Sequence, residues 1–119
     1  MNAVLLLNRH KTWATLRLIE HCRNLDDDTL NATIPGTYGT IPNTVRHLVQ
    51  ADEDYFSVLT GEQPWEPLPE SPIGPVSLDD LAERIRRLGP RWEILAEDIG
   101  LQGRTVTFPD GISLSLIHI

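Results

Sequence analysis

The stretch Thr40-Ile41-Pro42-Asn43-Thr44-Val45-Arg46-His47-Leu48-Val49-Gln50-Ala51-Asp52, running on through Tyr55, Phe56 and Leu59 to Gly61, decides the fold of this chain. Thr40 can accept a hydrogen bond as N-cap, and Pro42 is tolerated in a first turn, where its missing N–H costs nothing. Val45, Leu48, Val49, Phe56 and Leu59 then recur at helical spacing until Gly61 stops the run. At about 100° per residue, Val45, Val49, Phe56, Asp52, Leu59, Leu48, Tyr55 and Ala51 fill one broad arc, and Arg46, Gln50, Glu53 and Ser57 fill the polar one. A helix with so wide an apolar arc must be covered by other helices.

Two further long helices flank it. Residues 3–23 contain no Gly or Pro, and Leu6, Trp13, Leu16, Ile19 and Cys22 recur at three- and seven-residue spacings. An aspartate of the run Asp26-Asp27-Asp28 caps a short turn ending at Leu30, and residues 31–40 are loop. Five prolines between Glu62 and Val76 mark an extended linker or surface loop. Ser77 caps the last long helix, 77–99, with Asp79 and Asp80 in its first turn and Leu78, Leu81, Ile85, Leu88, Trp92, Leu95 and Ile99 as its apolar positions. Pro90 either kinks or divides it. Thr105-Val106-Thr107 begins a short β-like tail. The expected fold class is all-α, with three long helices at about 3–23, 41–60 and 77–99. Three such helices leave apolar faces uncovered.

Composition limits function. With 119 residues there is room for one domain, and 40% hydrophobic residues exclude a disordered chain. No apolar run is long enough for a membrane span, and Met1–Leu7 is too short for a secretion signal. Ten Lys and Arg against 17 Asp and Glu give a net charge of -7, which argues against nucleic acid as a partner. Arg84, Arg86, Arg87 and Arg91 cluster, but among acids, as on a solvated helix face. A single cysteine, Cys22, fits a reducing cytoplasm and reads as core.

No phosphate loop, CxxC pair, HExxH or GxSxG is present. His10 and His21 read as surface histidines. His47 falls at the border between the arcs of the second long helix, where an imidazole is either a metal ligand facing a cleft or simply half-buried. Asp52 falls inside the apolar arc. A carboxylate there must be paired, hydrogen-bonded or protonated. It is either a structural acceptor, for example from the Trp13 indole, or a pocket carboxylate supporting a site. His47 and Asp52 stand about 140° apart around the helix, poorly placed to share one ion.

The order of several segments resembles the DinB/YfiT-like metalloenzymes, which include thiol transferases and, more distantly, the N-terminal domain of mycothiol-dependent maleylpyruvate isomerase. The resemblance lies in Trp13-Ala14-Thr15 with Leu16, Leu18 and Ile19, the stretch Leu25–Leu30, Pro35-Gly36-Thr37-Tyr38-Gly39-Thr40-Ile41, Thr44–Asp52, Tyr55 and Leu59-Thr60-Gly61. It covers residues 4–61 well and 77–101 in outline. It implies an up-down-down-up four-helix bundle holding a divalent ion (zinc, nickel or manganese) on three histidines, one from the second long helix and two spaced HxxxH on the last. His47 matches the first. Gln50, Ala51 and Asp54 share its face and could line the site, with Asp52 as a supporting carboxylate. The implied activity is thiol-dependent transfer or isomerisation of a small molecule, with a low-molecular-weight thiol as cofactor, and a homodimer is compatible with the family. The alternative is a non-catalytic helical module that binds a ligand or partner.

The chain departs from the family at its end. It contains no HxxxH, and only eight residues follow Gly111. Leu114–Ile119 can be back-translated as CTG TCT CTT ATA CAC ATC, which resembles a transposon end used in making sequencing libraries. The expectation is therefore a bundle lacking its last helix, native over 1–113, with 114–119 as read-through. The other reading of that tail is a short apolar strand or the start of a helix. On the first reading the chain is inactive and binds metal poorly, and His118 is no ligand.

Overall fold

The computed structural model describes residues 3–33, 35–63, 65, 66, 68, 77–99, 105–107 and 113–115. The chain is an all-α bundle: α1 (Ala3–Arg23), a single turn α2 (Asp27–Asn31), α3 (Ile41–Thr60) and α4 (Leu78–Ile99). A two-stranded antiparallel ladder follows, β1 (Thr105–Thr107) with β2 (Ser113–Ser115), Thr105 opposite Ser115. His118 and most of the tail lie outside the described residues, as does most of the proline-rich connection. No described helix is long and apolar enough to cross a membrane.

The helix ends sit where the punctuation puts them. Asp26 accepts from the Thr29 N–H at 2.7 Å, which holds its carboxyl below the usual range. Thr40 Oγ1 accepts from the Asn43 N–H at 3.3 Å, and Ser77 Oγ from the Asp80 N–H at 3.2 Å. Gly61 closes α3, its N–H bonded to the Ser57 carbonyl. Pro90 does not divide α4, which continues as one helix past it to Ile99.

Contacts along the helices fix their directions. Arg9 pairs with Glu93 at one end of α1 and Arg23 with Asp79 at the other, so α1 and α4 are antiparallel. Val45 shares a core cluster with Leu81 near the start of α4, while Phe56 packs with Leu88 and Trp92 further on. The helices α3 and α4 therefore run parallel, and the three long helices are ordered up, down, down. A parallel pair needs a connection that returns the length of a 20-residue helix, roughly 30 Å, which accounts for the long segment between them.

Ile19, Cys22, Val45, Val49, Leu81, Ala82 and Ile85 form one buried cluster, and Phe56, Leu59, Leu88 and Trp92 a second. Each large aliphatic side chain buried there contributes about 1.5–3 kcal/mol. The α1–α4 seam is close: a Cβ at buried Gly89 would stand 2.9 Å from Thr12 Cγ2.

Several sequence expectations are corrected. Leu6 and Trp13 of α1 are exposed, at 54% and 59%. They sit about 100° and 80° around the helix from buried Leu5, outside the face that meets α3 and α4. On α3 the buried arc is Val45, Arg46, Val49, Glu53, Phe56 and Leu59, whereas Leu48 and Tyr55 are exposed at 46% and 41%. The covered face is thus turned toward the expected polar side. Trp65 and Leu68, expected in an extended linker or surface loop, instead pack inward, Trp65 against Phe56 and Leu68 against the first cluster. Arg84 is likewise not a solvated side chain, since it holds buried Glu53.

Candidate functional site

The α3 surface turned away from the core carries a cleft of about 500 Å³ lined by His47, Gln50, Ala51, Asp54, Tyr55, Ser57, Val58 and Gln63. These helical positions span roughly 120–280° on a wheel with Val45 at zero, while the buried residues lie at about 320–100°. His47, Gln50, Ala51 and Asp54, grouped from sequence, therefore do share one wall. Gln50 is half-buried and Asp54 exposed. Tyr55, Ser57, Val58 and Gln63 complete the lining. Tyr55 and Val58 could have been found from their spacing of 8 and 11 residues from His47, which returns them to the same face.

His47 is half-buried, and its imidazole lies flat against Tyr38, ring centroids 3.7 Å apart and planes inclined by 16°. Tyr38 comes from the loop ahead of α3 and carries no periodic signal that could have assigned it to this site. His10 and His21 are exposed on α1, away from the cleft. Among the described residues, no three His, Cys, Asp or Glu side chains converge as metal ligands.

Asp52 does not line this cleft. Its carboxylate meets the Lys11 ammonium at 2.7 Å, and that ammonium stands 3.9 Å above the Trp92 ring. The trio joins α3, α1 and α4, so the carboxylate within the apolar arc has a structural partner in Lys11 rather than in Trp13. Cys22 is buried in the first cluster, and burial pushes its thiol pKa up, away from the reactive thiolate.

A second cleft of about 530 Å³ lies between α4 and the connection, lined by Glu53, Trp65, Glu66, Arg84, Arg87, Leu88 and Arg91. Its floor is self-satisfied. The Arg84 guanidinium donates to both Glu53 oxygens at 2.9–3.2 Å and also to the Glu66 carbonyl. Desolvation nonetheless raises the Glu53 pKa above its ordinary value, outweighing the lowering by Arg84.

The three long helices form an up-down-down all-α bundle, with His47 on the outward face of the second. The chain belongs to the DinB family, whose family model matches residues 1–88. Comparison with curated proteins and comparison with solved structures each return no match.

Proposed function

We propose that the α3 cleft is a small-molecule site and that His47 is its chemical group, contributing one ligand to a divalent ion (zinc, nickel or manganese) in a DinB-family enzyme. The supporting observation is the placement of His47: an imidazole on the face of α3 opposite the core, in a cleft with Gln50, Ala51 and Asp54. Such a side chain is not needed to fill the interior.

The donors present do not by themselves fit a metal. The described lining offers one imidazole and one exposed carboxylate, two helical turns apart. The remaining ligands would have to come from outside the described residues. A bound divalent ion would supply Lewis acidity toward a thiol or water. What this chain's own cleft supplies is an oriented imidazole, the amide of Gln50 as a hydrogen-bonding group and the apolar walls of Ala51 and Val58. The proposed activity is thiol-dependent transfer or isomerisation, with a low-molecular-weight thiol as co-substrate, and the reduced Cys22 fits a cytoplasmic setting. The open apolar positions Leu48 and Tyr55 are compatible with a homodimer.

The same incomplete donor set favours a second reading, a non-catalytic module that binds a ligand or partner in this cleft. Zinc titration of the full chain and of His47→Ala separates the two. The enzyme reading expects weak, saturable binding that His47→Ala abolishes. Equal zinc occupancy in both proteins would remove His47 as a ligand.

A further inference from the structure

We propose that Tyr38 is the positioning residue for His47, setting the plane of its imidazole in the cleft. This rests on the reading of His47 as the site's chemical group. The two rings face each other at 3.7 Å, closer than the roughly 4.5–7 Å usual for aromatic pairs, and nearly parallel. An imidazole has two side-chain torsions, and a flat surface against one face restricts both while leaving the ring edge, with its nitrogens, uncovered.

The loop is shaped to bring the phenol there. Tyr38 stands between Gly36 and Gly39, whose φ angles of 87° and 98° are readily adopted only by glycine. A Cβ at Gly36 would meet nothing within 4 Å, so the turn is not forced by crowding. Nor does core burial explain the tyrosine's place. It is 60% exposed and belongs to neither hydrophobic cluster, and the stack on His47 is its principal ring contact among the described residues. A side chain so placed acts on its neighbour, and that neighbour is the histidine of the site.

The test uses the full chain as wild type, Tyr38→Phe and Tyr38→Ala, read by the imidazole proton resonances of His47 and by its rate of modification with diethyl pyrocarbonate. In wild type, the ring current of Tyr38 shifts the His47 C–H protons upfield. Tyr38→Phe keeps that shift and the wild-type modification rate. Tyr38→Ala loses the shift and raises the His47 rate several-fold, while exposed His21 reacts equally in all three. Gly39→Ala, which retains the phenol but disfavours the loop conformation, reproduces the loss. A His47 shift and rate unchanged in Tyr38→Ala would overturn the proposal. That failure is distinct from failure of the site itself, which is read separately by zinc binding in His47→Ala with Tyr38 intact.

Discussion

Arg84 grips the buried carboxylate of Glu53 from 31 residues further along the chain, through Nε to both oxygens and Nη2 to one. The pair ties α4 to α3, and the same guanidinium donates to the Glu66 carbonyl. Removing one partner of a buried ion pair leaves an uncompensated charge or an empty acceptor, so Arg84→Met should destabilise the chain by about 3 kcal/mol in chemical denaturation. Glu53→Gln, which keeps an acceptor for Arg84, should be milder.

The same pair sets a pH dependence. Burial raises the Glu53 pKa above the ordinary 4.5, so the folded chain holds this proton more tightly than the unfolded chain. Stability from this group is fully present below the unfolded value and is lost as pH rises through the higher folded value. Thermal unfolding between about pH 4 and pH 7 should show wild type losing stability relative to Glu53→Gln as pH rises, and a constant difference would contradict it.

At the α1–α4 seam, Gly89→Ala sets two effects against each other. Alanine gains roughly 1 kcal/mol of helix propensity over glycine, but its Cβ would come 2.9 Å from Thr12 Cγ2. Thr12 is β-branched and stiff, so overpacking of about 1–3 kcal/mol should win, giving net destabilisation. Thr12→Ala in the same chain should restore stability, which urea denaturation can measure.

The ion pairs should separate by burial. Asp52–Lys11 is partly buried and capped by Trp92, whereas Arg9–Glu93 lies between more exposed groups. A double-mutant cycle on Asp52 and Lys11 should give a coupling near 1 kcal/mol, and one on Arg9 and Glu93 a few tenths at most.

The helices of this bundle are legible in sequence because their ends are written in local chemistry: Asp26, Thr40 and Ser77 as caps and Gly61 as a stop. The rotation of α3 is not. Its apolar positions exceed what α1 and α4 cover, and sequence does not say which part of a wide arc stays open. Arg46 and Glu53 read as polar surface on their own helix yet both are buried, and the partner that holds Glu53, Arg84, stands 31 residues further along the chain. The cleft wall was legible for a simple reason. His47, Gln50, Ala51 and Asp54 lie within two turns of one helix, whereas Tyr38 reaches His47 from a loop with no period. Asp52 stands out as a carboxylate within the apolar arc, but its partner Lys11 lies on another helix and cannot be read from its own.

The outward setting of α3 makes its own prediction. Val49→Ala should destabilise by about 1–3 kcal/mol, because Val49 is fully buried. Leu48→Ser, one residue earlier on the open face, should change stability by less than about 0.5 kcal/mol in the same denaturation series.

The proposed site on the outward face of α3 around His47 is tested most directly by a map of backbone amide shifts in the full chain as zinc is added. Perturbations should gather at Tyr38, His47, Gln50, Ala51 and Asp54 and vanish in His47→Ala. A map centred instead on Trp65, Arg84 and Arg91, or one unchanged by His47→Ala, would contradict it.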